Sequence, residues 1–133
     1  MSGQPVSALS DMLAGMEPKL HERPFRFVAH GPDDDFIDLL GRMFAFVRED
    51  EGATLVIRSR EDQPGPHFAC ITLQVHSDLE GVGLTAAVAT ALAKEGIACN
   101  VIAGFHHDHL FVPWDRRVEA LAILESLSKD ARR

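Results

Sequence analysis

The sequence predicts an α+β fold whose second half is a βαββα unit, an antiparallel sheet with its helices on one face. Residues 68–76 alternate between two kinds of side chain with a period of two, which is typical of a strand. Residues 84–95 carry apolar side chains at helical spacing. Residues 97–103 and 109–112 are two further strand-like runs, and a last helical pattern begins near residue 115.

Length and composition exclude several classes of function. The chain has 133 residues, enough for one domain or for two small ones that share a core, and its hydrophobic content of 46% is too high for disorder. The formal net charge of −7 disfavours a nucleic-acid partner, which would need a basic surface. Because no apolar run approaches the ~20 residues of a membrane span and no export signal is visible, we expect a cytoplasmic protein without a membrane partner.

The first half of the chain predicts one helix and three strands. An amphipathic helix is expected over residues 6–16, and aromatic and β-branched residues predict a strand over residues 25–29. The turn residues at 50–52 predict a hairpin with arms at 43–48 and 54–57. The first half can also supply the strand that would complete the βαββα unit as a βαββαβ repeat.

The second half of the sequence predicts a helix end, the burial of one strand and the apolar face of the last helix. Gly96 is expected to end the first helix as its C′ residue. The strand over residues 97–103 is expected to be largely buried, because it is mostly apolar. The last helix should have an apolar face formed by residues spaced three apart, namely Val118, Leu121, Leu124 and Leu127.

The loop over residues 77–83 is the first candidate site. Gly81 and Gly83 flank Val82 and would let the main chain approach a ligand closely. The amides at the start of the following helix carry partial positive charge and suit a carboxylate. A tight turn that only packs the helix on the sheet is the alternative, since a lone Gly-x-Gly is a weak signal.

The second candidate is the segment over residues 106–109, which has three histidines in four positions. It could bind a transition metal, form a polar turn that touches a ligand, or be an exposed hairpin tip. Catalysis has little support, because the sequence lacks the short motifs of serine hydrolases, zinc proteases and phosphate-binding loops. Cys70 and Cys99 lie in apolar runs, where reduced buried thiols are expected.

Several stretches resemble the ACT domain, a regulatory module of amino-acid metabolism. Residues 77–84 are similar to its Asp-x-x-Gly-Val loop, residues 91–97 to the end of its helix, and residues 100–103 to its Asn-containing strand. The following hairpin is similar to that of small tandem-ACT proteins and of the animal cytosolic arginine sensors. Residues 25–27 and 46–55 look like the degenerate N-terminal ACT-like unit of a stand-alone bacterial family.

The resemblance implies a ferredoxin-like fold in tandem, with a degenerate ACT-like unit over residues 1–63 and an ACT domain over residues 64–133. It implies a homodimer in which units pair side by side, with an amino acid at the interface and no cofactor. By this resemblance the ligand would be touched by Asp78, Leu79, Glu80, Gly81 and Val82 from the loop, by Asn100, Val101 and Ile102 from a neighbouring unit, and by His106, His107 and Asp108 at its side chain.

The sequence therefore favours a sensor module that binds an amino acid and is not an enzyme. Two alternatives stay open: a structural or protein-interaction module without a ligand, and a metal-binding protein or enzyme that uses the histidine cluster.

Overall fold

A computed structural model of the protein describes residues 7–31 and 37–133. Its elements in chain order are α1 (Leu9–Ala14), β1 (Pro18–Leu20), β2 (Phe25–His30), a 3₁₀ helix (Ile37–Arg42), β3 (Met43–Glu49), β4 (Gly52–Arg58), β5 (Phe68–Leu73), α2 (Leu84–Lys94), β6 (Asn100–Ala103), β7 (Asp108–Pro113), a 3₁₀ turn (Trp114–Arg116) and α3 (Arg117–Ala131). The chain divides into two compact units, one formed by the described residues up to His21 together with Ala69–Arg133, the other by Glu22–Phe68. Residue 6, where the first predicted helix was expected to start, lies outside the described residues.

The first unit has the strand order β1-β5-β7-β6. The strand β1 pairs antiparallel with β5, in the register Lys19↔Thr72. The first half of the chain thus supplies the strand that completes the βαββαβ set, as predicted, although it comes before the other strands in sequence. The antiparallel sheet and the α+β architecture, ferredoxin-like in its elements, are confirmed.

The helices α2 and α3 pack on one face of this sheet. Their buried side chains join those of β5 and β7 in one apolar cluster, which includes Val88, Leu92, Leu110, Val112 and Leu124. Burial of this cluster is the main favourable term in the stability of the unit.

The end of α2 confirms the predicted role of Gly96. This residue has φ 71°, and its N–H donates to the Ala93 carbonyl oxygen at 3.0 Å. The N–H of Ile97 donates to the Leu92 carbonyl oxygen at 3.1 Å, which completes a Schellman motif. The buried Ile97 side chain then packs in the core with Leu92.

Two expectations about burial are wrong. The strand β6 is not largely buried: Asn100 and Ala103 are exposed and the two residues between them are half-buried, because β6 lies at the edge of the sheet. In α3, Val118 is 70% exposed, whereas Leu124 is fully buried.

The second unit is a three-stranded antiparallel sheet with the order β3-β4-β2. The predicted hairpin is confirmed as β3 and β4, in the register Val47↔Thr54. Leu55, Val56 and Ile57 of the central strand are buried. No helix in the described part of the chain is both long and apolar enough to cross a membrane.

Candidate functional site

A recess of about 160 Å³ lies beside the loop between β5 and α2. Its walls come from three parts of the first unit: this loop with the first turn of α2, the adjoining ends of β6 and β7, and α1. Of the residues that the sequence predicted to touch a ligand, Asp78, Leu79, Gly81 and Asp108 line the recess.

The loop is held in shape by its own hydrogen bonds. The N–H of Glu80 donates to Asp78 Oδ1 at 2.9 Å, and the N–H of Gly81 donates to the Asp78 carbonyl oxygen at 2.8 Å. A Cβ on Gly81 would lie 3.0 Å from that carbonyl oxygen and 3.2 Å from Met12 Sδ. Glycine at this position therefore allows the side chain of Met12 to lie directly against the loop.

The helix α2 begins at the recess. Its N-cap residue is Gly83, with φ 105°, a conformation that residues with side chains rarely adopt. Gly83 has no side chain that could cap the helix, and the first N–H groups of a helix have no acceptor within it. Since Leu84 and Thr85 line the recess, this end of α2 favours an anionic group there.

Two acidic residues, Asp78 and Asp108, line the same space. Asp108 stands opposite Ala103 at the start of β7, and Ser77 Oγ donates to Asp108 Oδ2 at 3.5 Å. Carboxylates accept charge-assisted hydrogen bonds from an ammonium group. The recess therefore offers partners for both charges of a small zwitterion.

The other predicted loop and turn residues lie outside the lining of the recess. Glu80 and Val82 are exposed, with Val82 at 82%. His106 and His107 lie in the turn between β6 and β7. The ring centroid of His106 is 5.5 Å from that of His76, and His107 Nδ1 lies 3.5 Å from the Val75 carbonyl oxygen.

The predicted residues of β6 also lie apart from the recess. Asn100 is exposed at the end of the strand away from Ala103, and Val101 and Ile102 are half-buried between them. Among the described residues that line the recess, only Ala103 comes from this strand. The role of the other three toward a neighbouring unit stays a prediction.

Six residues of the recess were not predicted as site residues: Met12, Ser77, Gly83, Leu84, Thr85 and Ala103. Three of them, Ser77, Gly83 and Ala103, are next to predicted residues in sequence, and the start of the following helix could have indicated Gly83, Leu84 and Thr85. The sequence around Met12 does not indicate a site residue, because Met12 reaches the loop only through the packing of α1.

The structure gives little support to metal or thiol chemistry. Within residues 7–31 and 37–133, no group of three or more His, Cys, Asp or Glu side chains is arranged to hold a metal ion. Burial raises the pKa of the Cys70 thiol to about 12 and also raises the pKa of Cys99. Both cysteines are free, and thiols with raised pKa values stay protonated near neutral pH and are poor nucleophiles.

A pair of histidines shares one hydroxyl group on the sheet of the same unit. His21 Nε2 lies 2.7 Å and His109 Nδ1 lies 2.9 Å from Thr72 Oγ1. Burial and the nearby Lys19 lower the pKa of His21. Burial lowers the pKa of His109, as do His107 and His21, while Asp108 opposes them. Because a hydroxyl has one proton to donate, Thr72 can donate to at most one of the two rings, and at least one ring must donate its N–H to the hydroxyl oxygen.

We therefore expect the protein to lose stability in mild acid. In the unfolded chain both histidines regain the ordinary pKa of 6.5, so below that pH the unfolded state binds more protons than the folded state. The free energy of unfolding should fall as the pH drops through about 6.5, until the folded protein takes up the same protons. Urea unfolding between pH 5 and 7.5 measures this slope, and His109→Gln should flatten it. Stability that rises toward pH 5 would contradict the assignment.

The chain matches two ACT-domain family models, one over residues 4–63 and the other over residues 67–126. A protein of unknown function from Vibrio cholerae, described as a possible transport protein, is 37% identical; its crystal structure superposes with a TM-score of 0.77 over 90% of this chain and 95% of that one. None of the curated proteins compared with the chain matches it.

Two more distant structures show the same fold. One is a protein from Agrobacterium tumefaciens, with 18% identity and a TM-score of 0.66 over 84% of this chain and 87% of that one. The other is an aspartokinase with alpha and beta subunits, with 13% identity and a TM-score of 0.62 over 86% and 98%. With both halves matched by family models, the chain belongs to the ACT-domain family and contains two ACT domains in tandem.

Proposed function

We propose that the recess binds a free amino acid and that the protein is a regulatory sensor that catalyses no reaction. One observation carries this proposal: the first turn of α2 and the acidic residues Asp78 and Asp108 line the same space of about 160 Å³. ACT domains are typically regulatory modules that bind small molecules, most often amino acids, and this supports the proposal.

The charges of the recess suggest how the ligand is oriented. The α-carboxylate lies against the first amides of α2, beside Leu84 and Thr85, where the helix dipole favours negative charge. The α-ammonium group donates to the carboxylate of Asp108, with Asp78 as a second acceptor. The ligand side chain then points toward the remaining, less polar wall.

Binding can be measured by thermal unfolding in the presence of each of the twenty amino acids. A ligand at a hundredfold excess over its Kd stabilises the folded state by about 2.7 kcal/mol. Asp108→Asn removes a charged acceptor, which is worth about 1.5–3 kcal/mol, so we expect affinity to fall at least ~tenfold. Asp130→Asn is the matched control, because Asp130 lies on the exposed side of α3, away from the recess.

Two results would contradict the proposal. If no amino acid raises the melting temperature of the wild-type protein, the recess is not an amino-acid site, and a structural or interaction module becomes the better interpretation. If Asp108→Asn and Asp130→Asn bind a ligand as tightly as the wild type, the ligand lies elsewhere.

Three finer points belong to the same proposal. We place the boundary between the two ACT units of the sequence between residues 63 and 64, in the segment that separates the two family matches; the compact units of the structure divide the chain elsewhere, after His21 and after Phe68. Pairing of two copies through the edge strand β6 would bring its exposed Asn100 toward a neighbouring unit, in keeping with a homodimer. The free thiols of Cys70 and Cys99 favour a cytoplasmic location.

A further inference from the structure

Met12 reaches the recess from α1 and forms one of its walls. Its side chain is 1% exposed. A Cβ on Gly81 would lie 3.2 Å from Met12 Sδ and 3.4 Å from Met12 Cε, so the end of the methionine side chain lies against the loop. Met12, which is remote in sequence from the loop, thus contributes to the less polar side of the recess together with Leu79, Leu84 and Ala103.

This wall is anchored on two sides. Toward the loop, the Leu9 side chain lies 3.2 Å from where a Cβ on Gly83 would stand. Toward α3, the carbonyl oxygen of Ala14 accepts hydrogen bonds from Ser128 Oγ at 3.2 Å and from Arg132 Nη1 at 3.1 Å. Because both ends of α1 are held, a ligand cannot displace the helix without breaking these contacts.

The size of the recess then limits what it can hold. A cavity of about 150 Å³ accommodates benzene, which has about six non-hydrogen atoms. The recess, at about 160 Å³, is of the same size. Alanine and serine have about six or seven non-hydrogen atoms and fit this space, whereas the longer side chain of leucine or methionine would meet Met12.

We propose that Met12 is the specificity-determining residue of the recess, and that it restricts the ligand to amino acids with short side chains. This inference rests on the proposed function and adds the ligand class to it. Met12 binds neither the carboxylate nor the ammonium group of the ligand. Its volume limits the size of the ligand's side chain.

The direct test is Met12→Ala, studied by calorimetric titration with glycine, alanine, serine and leucine. The substitution removes three non-hydrogen atoms from the wall. We expect the wild-type protein to prefer alanine or serine. In the variant, the ratio of the leucine Kd to the alanine Kd should fall at least ~tenfold, which is the change in affinity that one methylene group can produce in an apolar pocket.

A second variant tests the size limit of the recess if Met12→Ala does not fold. Ala103 lines the recess from the exposed edge strand β6, so Ala103→Leu narrows the space without touching the core. Glycine should still bind this variant, whereas the affinity for alanine and serine should fall at least ~tenfold.

The outcomes separate the two proposals. If the wild type binds a small amino acid and both variants keep its order of preference, Met12 does not set the specificity, and the proposed function stands. A wild-type preference for leucine or a larger amino acid also overturns the inference alone. If no amino acid binds the wild type, the proposed function fails and the inference fails with it.

Discussion

Replacing Leu124 by alanine should lower the free energy of unfolding by about 2–5 kcal/mol. Leu124 is fully buried in the cluster where α3 meets α2 and the sheet. The substitution removes apolar atoms from the core and leaves a cavity that the close-packed surroundings fill only in part. Urea unfolding measures the loss as a lower midpoint with an unchanged m-value.

The control for this prediction is Val118→Ala on the same helix. The sequence placed both side chains on one apolar face, but Val118 is 70% exposed. A substitution at an exposed position changes stability by only about 0.5 kcal/mol or less. Equal losses in the two variants would mean that the apolar face of α3 runs through Val118 after all.

The error at Val118 has a geometric cause. Four apolar residues spaced three apart do not share one side of a helix, because each step of three residues falls about 60° short of a full turn. Over three such steps the last residue, Leu127, comes to lie opposite the first. The fully buried residues of α3 are Ala120, Leu124 and Ser128, which follow the four-residue spacing that stays on one face.

The strands show what local pattern can and cannot predict. Period-two alternation and turn residues were enough to place β2, β3, β4, β5 and β7. They did not show which strand lies at the edge of the sheet, so β6 was expected to be buried and is not. Sheet position depends on pairing between distant segments, such as β1 with β5, and no local window contains that information.

The candidate site shows the same difference between what local sequence predicts and what depends on distant contacts. The two glycines before a helix marked the loop as a candidate site, and the resemblance to the ACT domain named Asp78, Leu79 and Gly81, which line the recess. Met12 could be predicted to be apolar and helical, but not to form a wall of the recess, since that depends on how α1 packs on the loop. The sequence thus indicated residues on the polar side of the recess and gave no indication of the residue that we propose limits its size.

Gly83→Ala should impair both folding and ligand binding. An alanine at φ 105° is strained by about 1–3 kcal/mol, and its Cβ would lie 3.2 Å from the Leu9 side chain. Relief of this strain requires the first turn of α2 to shift, which moves the amides that we propose hold the ligand carboxylate. We therefore expect lower stability in urea and at least ~tenfold weaker binding of the amino acid found by thermal unfolding.

Gly96→Ala, at the other end of α2, separates the loss of stability from the loss of ligand binding. Gly96 is also left-handed, with φ 71°, but an alanine Cβ there would meet no described atom within 4 Å. This variant should lose about 1–2 kcal/mol of stability from the backbone strain alone. Because the strain is far from the first turn of α2, ligand affinity should stay at the wild-type value. If Gly83→Ala also keeps wild-type affinity, the amide end of α2 does not bind the carboxylate, and the proposed orientation of the ligand is wrong.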